Sequence, residues 1–99
     1  MSIYTIKRLS EFDVWISGIK DGLTRIRLAR RIDRLQLGLL GDVAPVGEGV
    51  HELREFFGPG WRIYFTERKG MFVVLLGGRK STQKKDIARA IALSKTLSE

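Results

Sequence analysis

The chain has 99 residues, 43% hydrophobic and 29% charged, a balance that suits one compact domain and excludes a disordered chain. Eighteen Lys and Arg against eleven Asp and Glu give a net charge of +7 and a pI near 10.3. That excess favours a polyanionic partner, nucleic acid foremost, through counterion release, although a merely soluble basic domain, or one neutralised by an acidic protein partner, carries the same charge. With no cysteine and His51 as the only imidazole, there is no basis for a disulfide framework, a thiolate metal site or a structural zinc, and no metal or cofactor is expected. No apolar run approaches the ~20 residues of a spanning helix, and the start MSIYTIKRLSEF has no secretory pattern. A cytoplasmic protein without a membrane partner is the expectation.

Ile3, Tyr4 and Ile6 form a short β-prone run ending at Ser10, a candidate N-cap. Phe12, Trp15, Ile16 and Ile19 then recur at helical spacing and predict a first helix with that face in the core. Asp21-Gly22 breaks the pattern, and a second, longer helix is expected to end at Gly38 or Gly41. Its buried stripe is Leu28, Ile32, Leu35 and Leu39. Arg27, Arg30, Arg31 and Arg34 fall on the other side, where Leu23, Ile26 and Leu37 interrupt them. That outer face reads either as solvated surface with scattered hydrophobes or as a docking surface for a partner carrying acidic and apolar residues.

GDVAPVGEG, from Gly41 to Gly49, reads as a loop. Three strands follow as an antiparallel meander: His51 to Phe57, Trp61 to Thr66 and Met71 to Leu76, turned at Gly58-Pro59-Gly60 and Lys69-Gly70. Ser81 or Thr82 caps a last helix with Ile87, Ala90, Ile91, Ser94 and Leu97 inward. The expected fold class is α+β, one domain over 1–99, with helices on one face of a small antiparallel sheet. The glycines of GEG, GPG and LLGG read as turns, because none is followed by the lysine and hydroxyl of a phosphate cradle.

Strand alternation places Leu53, Ile63 and Phe65 opposite Arg54, Arg62 and Tyr64, with Arg79 and Lys80 arriving at the edge of the second set. If the apolar set packs under the helices, the basic set lies on an uncovered face. Arginine forks hold phosphate bidentately, and several cations together stabilise a phosphorane, so the constellation suits binding or cleaving an RNA backbone. Glu52, Glu55 and Glu67 are equally available to neutralise Arg54, Arg62 or Arg68. Trp61 and Tyr64 are positioned to stack on bases or to pack. His51 falls with Leu53, which favours a structural role.

Through FDVWISGIKD, the arginine-rich helix RRIDRLQLGLL, and above all ELR, FGPGWRIYF and LLGGRKSTQ, nearly the whole chain resembles the RelE/HigB-like toxins of type II toxin–antitoxin systems, specifically the addiction module killer proteins of the RelE/ParE superfamily. The resemblance implies a RelE-like fold and a ribosome-dependent, metal-independent mRNA endonuclease that inhibits translation, with ribosome and mRNA as partners. It also implies a cognate antitoxin, of the DNA-binding helix-turn-helix kind, that neutralises the toxin. Residue by residue, it puts Arg62 on the scissile phosphate, Arg54 on substrate orientation or the 2′-hydroxyl, and Lys80 on transition-state or leaving-oxygen charge. Arg79, Tyr64, Gln83, Lys84 and Lys85 then become RNA-binding candidates, and Leu23, Ile26, Arg27, Arg30, Arg34 and Leu37 antitoxin-binding candidates. Many family members carry a C-terminal Tyr or His that assists catalysis. This chain has IALSKTLSE there, leaving Tyr64 and Gln83 as substitutes. ParE-like members of the superfamily inhibit DNA gyrase instead, and a non-enzymatic domain binding only ribosome or antitoxin is a third class.

Overall fold

The computed structural model describes residues 3–97 and runs β1 (Thr5–Arg8), α1 (Ser10–Ser17), α2 (Gly22–Gln36), β2 (Val43–Gly47), β3 (Val50–Arg54), β4 (Trp61–Arg68), β5 (Met71–Arg79), a 3₁₀ turn (Lys80–Thr82) and α3 (Gln83–Lys95). The strands form one sheet in the order β1-β5-β4-β3-β2. β1 runs parallel to β5, from Thr5 opposite Met71 to Arg8 opposite Val74, and the other pairs are antiparallel. The architecture is α+β with a five-stranded mixed sheet, which corrects the expected four-stranded antiparallel one. The missed strand is β2, inside the segment read as a loop. Pro45 donates no ladder hydrogen bond, yet an edge strand tolerates it, and the register shifts between Pro45 and Gly47. Among the described residues, no helix is long and apolar enough to cross a membrane.

Helices cover both faces rather than one. On the first, Phe12 and Ile16 of α1 and Leu28, Ile32 and Leu35 of α2 bury Leu53, Ile63, Phe65, Phe72 and Val74, with Trp15, Ile19 and Trp61 packed at the margin. On the second, Ala90 of α3, with Ile87, Ile91 and Leu97 beside it, covers Val50, Tyr64, Val73, Leu75 and Leu76. Each fully buried Leu or Phe contributes about 1.5–3 kcal/mol, so both layers are substantial. A β-bulge makes the second layer fit. Tyr64 pairs with Leu76 while Phe65 pairs with Val74, so Leu75 has no partner on β4 and consecutive residues Leu75 and Leu76 both join the α3 layer.

Leu39 lies beyond the end of α2 and is 58% exposed, so the buried stripe stops at Leu35. Asp21 caps α2, accepting from Leu23 N at 3.3 Å and from Thr24 Oγ1 at 2.7 Å. Ser10 is the first residue of α1 and makes no cap, the N-cap position being Leu9. Gly77 and Gly78 are no turn; they lie within β5, where a Cβ on Gly77 would overlap the Trp15 ring and one on Gly78 the Asp86 carboxylate. The pair is glycine because a helix leans on the strand from each side.

Candidate functional site

Two strands deliver basic residues in one row and a third completes it with glycine: Arg54 pairs with Arg62, and Arg62 with Gly78. The next row is Glu52, Tyr64 and Leu76. Alternation therefore groups these side chains as expected, but their face is not uncovered. α3 lies across it, so Glu52 is 2% exposed, Arg62 4% and Tyr64 fully buried. Tyr64 in this position presents no surface for a base to stack on.

The buried polar groups under α3 form two separate groups, Glu52 with Gln83 and Arg62, and Thr82 with Asp86. Glu52 accepts from Gln83 Nε2 at 2.8 Å and faces Arg62 Nε at 3.8 Å. Arg62 Nη1 donates to the carbonyls of Trp61 at 3.1 Å and Glu55 at 3.3 Å. Thr82 Oγ1 donates to Asp86 at 2.5 Å, and Asp86 sits over Gly78. Arg62 Nε and the Tyr64 hydroxyl are buried with no hydrogen-bond partner. Burial, then the negative charge of Glu52, pushes the Tyr64 phenol well above its ordinary 10.0, so it stays neutral. Gln83, expected to bind RNA, is turned inward to Glu52.

Lys80 joins this group through the GPG turn. Its amide donates to Gly60 O at 2.8 Å. A Cβ on Gly60 (φ +78°) would lie 3.1 Å from Lys80 Cβ and 3.6 Å from Arg62 Nη1. Glycine in the left-handed region thus lets the Lys80 side chain and the Arg62 guanidinium flank one α-carbon. Lys80 at this corner and its neighbour Arg79 are exposed, as are Lys84 and Lys85 on the first turn of α3. Arg54 is the outlying member. Its Nε and Nη2 donate to Asp42 Oδ1 at 3.2 and 2.8 Å, which draws the guanidinium toward the β2 edge.

On the opposite layer, α2 exposes Leu23 (72%) and Ile26 (50%) among exposed Arg27, Arg30 and Arg34, and Leu37 (41%) follows at its C-cap. Arg27 is partly engaged, its guanidinium lying 3.6 Å from the Phe57 ring centroid. Arg31 does not belong to that surface. It is 5% exposed and donates to the carbonyls of Arg54, Leu40 and Asp42 at 2.8–2.9 Å, with Glu55 at 3.4 Å. It ties α2 to the ends of β2 and β3, a role that helical periodicity does not signal. His51 stacks on Phe65 with centroids 5.5 Å apart, on the face that alternation assigns it.

Glu52 was expected only as one possible neutraliser, and Asp86 was not singled out. Thr82 was expected only as a candidate cap, whereas it takes the N-cap position of α3 without a side-chain cap bond and donates to Asp86. The available signals were Glu52's cross-strand position beside two arginines and the Gly78 gap that receives Asp86.

A Haemophilus influenzae protein described as uncharacterized is 43% identical over 93 residues, covering 93% of this chain and 94% of the relative. The chain belongs to the same family as that protein. No family model matches the chain, and no solved structure matches it.

Proposed function

We propose that the chain is the toxin of a toxin–antitoxin pair, a RelE/HigB-like endoribonuclease that cuts translated mRNA and is held inactive by its antitoxin. The observation that carries this reading is the convergence of Arg62 and Lys80 at Gly60, with exposed Arg79 beside Lys80 and exposed Lys84 and Lys85 following on α3. A phosphodiester at that corner meets the exposed Lys80 ammonium, with the Arg62 guanidinium buried behind it. In the proposed reaction the ribose 2′-oxygen attacks the adjacent phosphorus and loses its proton, the P–O5′ bond breaks, and the 5′-oxygen takes up a proton. Arg62 and Lys80 stabilise the charge gathered on the phosphorane oxygens, and Arg54 orients the strand from the neighbouring position.

Ribosome-primed mRNA cleavage tests this directly. Wild type is expected to cleave, and Arg62→Ala or Lys80→Ala to lose roughly 100-fold or more in rate, the scale seen when one transition-state donor is removed. No cleavage by wild type, with DNA supercoiling inhibited instead, sinks the nuclease reading in favour of a gyrase-directed toxin.

One observation favours a second reading, a binding-only domain: Arg62 is already charge-paired with Glu52, and Arg54 with Asp42. In that case RNA or ribosome binding persists without cleavage. For the antitoxin, the exposed apolar and basic face of α2 supports docking of an acidic amphipathic segment. Ile26→Asp with Leu37→Asp is expected to weaken the complex at least tenfold with the fold intact, because two exposed apolar contacts become like-charged with the partner. Unchanged affinity returns that face to plain solvated surface.

A further inference from the structure

We infer that Glu52 is a positioning residue: its buried carboxylate aims Arg62 at rest and is displaced from it when an RNA phosphate arrives. The inference rests on the RNA reading above. A buried guanidinium needs a counter-anion, and among the described residues Glu52 is the carboxylate within salt-bridge distance of Arg62. The pairing is incomplete. At 3.8 Å from Glu52 Oε1, Arg62 Nε feels the charge but makes no hydrogen bond, and it is buried with no other partner. Nη1, meanwhile, is pinned by the carbonyls of Glu55 and Trp61.

Glu52 does not close the gap, because it is held from the other side. Its Oε2 accepts from Gln83 Nε2 at 2.8 Å, anchoring the carboxylate to the start of α3. Arg62 is therefore fixed in direction while its Nε–H is unspent. A phosphodiester, with two anionic oxygens matched to the fork, supplies what Glu52 withholds. Glu52 thus acts in two opposed ways: it orients Arg62 for the reaction, and its own charge disfavours the incoming phosphate.

Glu52→Gln removes the charge and keeps the size, and its amide oxygen can still accept from Gln83. The probes are a 2′-O-methyl oligoribonucleotide, which cannot be cut, followed by fluorescence anisotropy at fixed salt, and single-turnover cleavage of ribosome-primed mRNA. Glu52→Gln is expected to bind the oligonucleotide on the order of tenfold tighter, as for removal of one nearby like charge, while cleaving more slowly. The affinity gain should vanish in an Arg62→Ala background, since the two residues act through one contact. Glu52→Asp, which keeps the charge on a shorter arm, is expected to restore wild-type affinity but not the wild-type rate. A purely structural Glu52 predicts equal or weaker binding by Glu52→Gln and no coupling to Arg62. That result, with Arg62→Ala still weakening the wild type, overturns the inference and leaves the RNA reading standing. If Arg62→Ala both binds and cleaves as the wild type does, the RNA reading falls with the inference.

Discussion

Beneath α1 and α2 the sheet meets Phe12, Ile16, Leu28, Ile32 and Leu35, a layer whose buried cluster is apolar, its buried cation, Arg31, being tied to carbonyls at the strand ends. Beneath α3 the same strands present Glu52, Arg62 and Tyr64, with Asp86 set into the gap over Gly78, beside Val73, Leu75 and Ala90. The first layer is stabilised by area removed from water and tolerates imprecision. The second depends on each buried polar group finding its partner, so its energy is carried by a few contacts and is lost when one is removed singly. A fold that needed only stability would use the first solution twice. Burying a cation and an anion under α3 gives that face a direction and a charge pattern that an apolar layer cannot supply.

The largest test of this contrast is Glu52→Ala, expected to cost about 3–5 kcal/mol by leaving Arg62 buried and unpaired. Glu52→Leu with Arg62→Met should cost far less, within about 1 kcal/mol of wild type, because it removes both charges. Urea denaturation of the two variants decides it: a single substitution no more costly than the double one means Arg62 was never dependent on Glu52. On the apolar layer, Leu35→Ala is expected to cost about 2–5 kcal/mol through the cavity it leaves, with oligonucleotide affinity unchanged. Altered affinity there means the two layers are coupled.

Gly77→Ala and Gly78→Ala probe the strand that both layers share, each expected to cost about 1–3 kcal/mol by overpacking. Gly77→Ala should be the worse, because the Trp15 ring has less freedom to yield than the Asp86 carboxylate. Equal losses argue that backbone displacement, not the side chain met, sets the cost. The smallest effect is expected from Tyr64→Phe, within about 1 kcal/mol of wild type, since the buried hydroxyl makes no close hydrogen bond and has only the Glu52 carboxylate within longer reach. Its pH signature has a definite sign. The folded phenol binds its proton more tightly than the unfolded one, so the contribution is complete below the unfolded value near 10.0 and is lost as pH rises above it. Wild type should therefore lose stability above about pH 10 faster than Tyr64→Phe does, read from thermal midpoints across alkaline buffers. Parallel profiles exclude Tyr64 as the source.

Much of this was legible from residue order alone. The helical spacing of Phe12, Trp15, Ile16 and Ile19 marked the buried face of α1, and alternation separated Leu53, Ile63 and Phe65 from Arg54, Arg62 and Tyr64, as found. β2 was hidden because proline and glycine, the ordinary signs of a loop, are also tolerated at a sheet edge. Arg31 was misplaced because its burial is set by three carbonyls from other elements, which periodicity within α2 does not register. Asp86 was passed over for the same reason: it becomes notable only once Gly78 is seen beneath it.

The sequence by itself determined which side chains share a face, because the twofold repeat of a strand and the 3.6-residue repeat of a helix are local properties of the backbone. It also determined the excess of positive charge and the residues that hold it. Which face α3 covers was decided only by the tertiary structure, since a helix with a modest apolar stripe fits either side of a sheet and the choice depends on distant partners: the Leu75 bulge, the Gly78 gap and the Gln83 contact with Glu52. That choice turned an exposed row of arginines into one buried cation, one edge cation and an exposed lysine corner, because burial depends on what lies above a residue and not on its place in the chain.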